Sequence, residues 1–163
     1  MGSVYRDCLG LEFQCMQPKS YMRILLLGIL LISFIGTAIP LQAGEPVVVV
    51  TSPHAPHKAI SVNTLRAIFG MRLRTWPDGS RIHVFVLQDN AALHREFAKG
   101  ILNVFPYQLR SAWDRMVFSG TGQAPVRVDS VAEMKNRVAQ TPGAIGYLWR
   151  DNVDETVDVL EIR

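Results

Sequence analysis

The stretch from Ile24 to Leu41 carries no charge, and its first nine residues, Ile24 to Ile32, are aliphatic apart from Gly28. Arg23 precedes this aliphatic run and Thr37-Ala38-Ile39-Pro40-Leu41-Gln42-Ala43 comes after it, which is the charged, apolar and small-residue order of a secretory signal peptide. Cleavage is expected after Ala43. The alternative is an uncleaved membrane anchor, because 18 residues nearly reach the roughly 20 that span a bilayer. Gly36 and Pro40 end a helix where a processing site needs an end, which favours the signal. The expected organisation is an N-terminal extension at 1–21 with the initiator at Met22, a signal at 22–43, and one exported domain at 44–163.

A chain of 163 residues so divided has room for one ordinary domain and excludes a large multi-domain enzyme. Cys8 and Cys15 both precede the signal, so disulfides, thiolate nucleophiles, cysteine zinc sites and a lipoprotein anchor are excluded from the domain together. Charge is nearly balanced there, with 14 basic and 12 acidic residues left of the chain's 17 and 14. No run of Lys or Arg exists, and a nucleic-acid partner is excluded on that ground.

Within the domain, Val47 to Val50 is a β-branched run between prolines and reads as a buried strand. Ser61 offers an N-cap to a helix carrying Val62, Leu65, Ile68 and Phe69, with Gly70 as its stop. Trp76-Pro77-Asp78-Gly79 is a turn, and Ile82 to Leu87 a second strand. Asn90 is placed to cap a helix whose inward face is Leu93, Phe97, Ile101 and Val104. Pro106 opens another with Leu109, Trp113, Met116 and Val117 on one side, and Ser130-x-x-Glu133 is the capping box of a fourth. Ala144 to Leu148 and Thr156 to Ile162 read as two more strands. This alternation predicts an α/β layered fold with a mainly parallel or mixed sheet. The expected core includes Val48, Val50, Leu65, Phe69, Val84, Val86, Phe97, Trp113, Val138 and Ile145.

Little in this pattern supports catalysis. His54 and His57 share a proline-stiffened loop, but His83 on a strand and His94 on a helix give no reason to converge there, so no metal is assigned. His94-Arg95-Glu96 matches the His-x-Glu of zinc deaminases, whose paired cysteines the domain lacks. No serine lies in a Gly-x-Ser-x-Gly elbow, and Ser119-Gly120-Thr121-Gly122 lacks the Lys-Ser/Thr of a phosphate loop. The chain is read as a non-enzyme without cofactor.

Leu65-x-x-Ile68-Phe69-Gly70, Trp76-Pro77-Asp78-Gly79, Phe97 ten residues after Leu87, Trp113, Phe118-x-Gly120 and Pro142-Gly143-Ala144-Ile145-Gly146-Tyr147 form an ordered set spanning Val47 to Leu148. In order and spacing the set resembles the phosphate-binding periplasmic proteins of ABC transporters, in the group of small single-lobe relatives. The resemblance implies a three-layer type II periplasmic-binding-protein-like lobe and a role in binding phosphate or another small oxyanion, beside a transporter or sensor in the membrane. Full-length relatives close two lobes on the ligand, and the second carries Arg-x-Asp-x-Ser-Gly-Thr-x-x-x-Phe. Aligned on Phe97, this chain has Leu87 in place of the arginine and Ala91-Ala92-Leu93 in place of Ser-Gly-Thr. Asp89 and Phe97 alone match.

Ligands of open α/β sheets sit beyond the carboxyl ends of strands, which here lead into Thr51-Ser52-Pro53-His54 and Gln88-Asp89-Asn90. The expected site joins Thr51, Ser52 and His54 to Asp89, Asn90 and the helix-start amides of Ala91, Ala92 and Leu93, with Asp89 opposing a dianion. Without an arginine, such a site holds phosphate no better than millimolar. The competing expectation is that Asp89 and Asn90 only cap the helix.

Overall fold

A computed structural model describes residues 45–53, 55 and 58–163. The signal segment, His54 and His57 lie outside the described residues. One compact unit runs from Ala43 to Arg163. No helix among the described residues is long and apolar enough to cross a membrane.

Six strands form one mixed sheet: β1 Val47–Thr51, β2 Ala59–Ile60, β3 His83–Val86, β4 Val126–Arg127, β5 Ala144–Trp149 and β6 Asp158–Ile162, in the spatial order β2-β6-β1-β5-β3-β4. β1 runs antiparallel to both of its neighbours, with Thr51 opposite Ile145 of β5 and Asp158 of β6. β3 is parallel to β5, with His83 opposite Ala144, and parallel to β4 on its other side. The two-residue strands β2 and β4 close the edges, where short strands limit unwanted pairing.

Among the described residues there are four α-helices: α1 Val62–Phe69, α2 Ala92–Glu96, α3 Pro106–Phe118 and α4 Val131–Gln140. The Ser61 hydroxyl caps α1 by accepting the Thr64 amide, and Ser130 caps α4 by accepting that of Glu133. The Glu133 carboxylate accepts the Asp129 amide, so the second bond of the expected capping box is displaced by one residue. Gly70 is the C-cap of α1 with φ −77°, and the left-handed position after it falls to Met71 at φ 57°. The expected continuous helix after Asn90 is instead α2 followed by a π-helical turn, Phe97–Ile101.

Successive side chains of β5 leave opposite faces of the sheet. A Cβ on Gly146 would come within 2.9 Å of Val138 on α4, so that face meets α4. Tyr147, next along, stacks on Phe97 and approaches Phe69 of α1. The sheet therefore lies between α4 on one side and α1 with the α2–π segment on the other, the three-layer arrangement expected. Of the ten expected core residues, nine are buried and Val48 is half-buried.

Candidate anion-binding groove

The strand directions separate the two loops expected to share a site. β1 opposes β3 in direction, so Thr51 and Ser52 lie at the end of the sheet where β3 begins. The Ser52 amide donates to the Ala144 carbonyl, and Ala144 is level with His83. From His83 to Gln88 is about 16 Å of strand at 3.3 Å per residue. The carboxyl-end rule requires parallel strands, and the antiparallel β1 breaks it. Ser52 is buried and its hydroxyl accepts the Gly143 amide at 3.1 Å, which ties the two turns together. Thr51 is buried too, and its Oγ1 has no hydrogen-bond partner among the described residues.

The other expected residues remain together. Gln88, Asp89 and Asn90, with Arg110, Asp114 and Arg127, line an open groove of about 450 Å³. Asp89 does not cap α2. Its two oxygens accept from Arg110 of α3, Nη2 at 2.8 Å and Nε at 3.0 Å, a two-point ion pair. The Asn90 carbonyl accepts from Arg95, and the Ala91 amide donates to Gln88, so that amide is not free for a ligand. Ala91 occupies the cap position without a side-chain bond, Ala92 is exposed in the first turn, and Leu93 is buried.

Arg110 and Arg127 were not among the expected site residues. Arg110 is 21 positions from Asp89, and nothing local announces their meeting. The available signal is the helical spacing of Arg110, Trp113 and Asp114, which puts Arg110 beside both the inward-facing indole and the Asp114 carboxylate. The guanidinium lies 5.5 Å from that ring. Hydrogen bonding to Asp89 holds Arg110 protonated above its usual range.

Behind the groove, the buried Tyr147 hydroxyl accepts the Leu87 amide at 2.8 Å and lies 2.6 Å from His94 Nδ1. A phenol oxygen both donates and accepts, so this contact forms with either tautomer of the ring, and His94 Nε2 is buried without a partner among the described residues. Burial lowers the His94 pKa and raises that of Tyr147, so both stay neutral at pH 7. Among the described residues no three His, Asp or Glu side chains gather as metal ligands would.

A family model for the PBP superfamily domain matches residues 38–160. No curated protein matches the chain. Among solved structures, a protein from Clostridium perfringens, assigned as a phosphate ABC transporter substrate-binding protein and holding phosphate, aligns at TM-score 0.59 and 18% identity over 71% of this chain and 44% of its own. An ABC-type phosphate transport receptor from Vibrio cholerae aligns at 0.55 and 16%, covering 71% of this chain and 45% of that one. PstS from Borrelia burgdorferi gives 0.55 and 17%, with 72% and 47% covered. The chain thus spans less than half the length of these structures, and at such identities the likeness is one of fold.

Proposed function

The chain belongs to the PBP superfamily domain family, and on that premise we propose that it is an exported solute-binding-like protein, related to the binding components of phosphate transporters, whose phosphate binding is weak. The observation that carries this reading is the Asp89–Arg110 pair. The groove holds an arginine, but both of its anion-facing nitrogens are occupied by a carboxylate, and an incoming dianion must displace or join that negative charge. Arg127 adds an exposed guanidinium on the edge strand, a solvent-screened attraction.

Calorimetry of the purified protein with inorganic phosphate tests the proposal. The expected constant is millimolar, about −4 kcal/mol, and Asp89→Asn tightens it about tenfold by releasing the Arg110 fork. A micromolar constant in the unaltered protein contradicts weak binding. For export, intact mass of periplasmic material is expected to show a chain beginning at Gly44. A membrane-bound chain that keeps Ile24 to Leu41 supports the anchor instead.

A second reading, a non-transporting interaction or sensing module that keeps the fold without the anion site, is favoured by aromatic side chains displayed on α3. Phe118 is 88% and Tyr107 64% exposed, a display suited to a protein partner. Absence of phosphate binding in both the unaltered protein and Asp89→Asn selects this reading.

A further inference from the structure

Residues of α1, of α3 and of the Leu102–Val104 segment line a cavity of about 330 Å³. Its floor is apolar, made by Leu102, Val104, Leu109, Ala112 and Met116, and its rim carries Arg66, Arg72 and Arg115 with no acidic residue. We propose that this cavity binds a small amphipathic acid, one anionic head on an alkyl or aromatic body.

The three arginines are not equivalent. Arg66 is committed to the frame, since its Nε donates to the Leu102 carbonyl at 2.7 Å and its Nη1 to Asn63, which fastens α1 to the end of the π-helical turn. Arg72 and Arg115 are exposed, and among the described residues neither side chain donates a hydrogen bond or pairs with a carboxylate. Two unspent guanidiniums above an apolar floor offer bonds to an anion and burial to its body, a combination that neither inorganic phosphate nor a neutral hydrocarbon satisfies. Volume selects a small molecule. The cavity is within the range of about 300–1,000 Å³ usual for ligand sites, whereas a helix is roughly 10–12 Å across.

The backbone around the cavity is also unusual. Among the described residues the two non-glycine positions with left-handed φ are Met71 at 57° and Asn103 at 52°. Met71 lies between the lining residues Gly70 and Arg72, and Asn103 between Leu102 and Val104. Strain of this kind persists where the surroundings over-determine it, and both instances shape this wall.

Octanoate serves as the probe, titrated calorimetrically into the full protein at neutral pH, with 1-octanol as its uncharged counterpart. The expected result is saturable one-to-one binding of octanoate, weakened about fivefold or more by Arg72→Gln and by Arg115→Gln. Octanol is expected to bind at least about tenfold more weakly, and inorganic phosphate not to compete. Ala112→Trp, which fills the cavity from a half-exposed helix position, is expected to abolish binding while circular dichroism stays unchanged. If Ala112→Trp perturbs the fold, Ala112→Leu replaces it. No saturation by about 5 mM octanoate, equal affinity for octanol, or full binding in the filled variant and both arginine variants would each overturn the proposal.

Discussion

The rings of Phe97 and Tyr147 lie face to face, 4.0 Å between centroids and 7° from parallel. Phe97 reaches this position at the first residue of the π-helical turn, and Phe69 stands beside both rings, 4.6 Å from Phe97 and 5.9 Å from Tyr147. Phe97 is fully buried. Truncation to Ala is expected to cost about 3–5 kcal/mol, read as a lowered midpoint in urea unfolding. A loss below about 1 kcal/mol contradicts this packing.

Removal of the Tyr147 hydroxyl acts on a different quantity. Tyr147→Phe keeps the stack but strips the Leu87 amide and His94 Nδ1 of their partner. The expected cost is about 2–3 kcal/mol, because two buried polar groups are left unpaired. A near-neutral variant would mean that solvent reaches the hydroxyl.

The same network makes stability depend on pH. Burial lowers the folded-state pKa of His94 beneath its ordinary 6.5, so the unfolded chain binds this proton more readily than the folded one. Stability from this group is fully present above pH 6.5 and is lost as pH falls through the folded value. The slope approaches about 1.4 kcal/mol per pH unit, the limit for one proton. His94→Asn keeps an acceptor near the Tyr147 hydroxyl and cannot ionise. Urea unfolding from pH 7.5 down to about 5 is expected to show a shallower slope for this variant than for the unaltered protein; parallel slopes refute the assignment.

Gly146 explains its own side chain's absence. A Cβ there would stand 2.7 Å from Met134 Sδ and 2.9 Å from Val138 Cγ2, so α4 is pressed against bare backbone. Gly146→Ala is expected to destabilise by about 1–3 kcal/mol. Combined with Met134→Ala, its cost is expected to shrink, because the truncated side chain makes room. Strictly additive losses in the double variant would show that the two positions do not compete for space.

Helices and layers were legible because their signals are local. Ser61 and Ser130 cap the helices they announce, Pro106 occupies the first turn of α3, and the Gly79 amide closes the turn at Trp76 with a bond of 2.9 Å. What sequence did not reveal depends on distant partners. A run such as Val47 to Val50 shows that a strand is buried but not which way its neighbours run, and that direction alone moved Thr51 and Ser52 away from Asp89. The Asp89–Arg110 bond has the same character, joining a loop to a helix face that only the folded chain brings together. The edge strands β2 and β4, two residues each, are too short for any periodicity to show.

The antiparallel β1 also sets a timetable. Among the described residues it is the first strand, yet both of its partners, β5 and β6, follow roughly a hundred residues later, so its backbone groups stay unmatched until those segments have been made. Contacts this distant close slowly. Until those two strands arrive, the unpaired N–H and C=O groups of β1 stay open to any other extended segment, so the step that completes the sheet is also the one most exposed to mispairing.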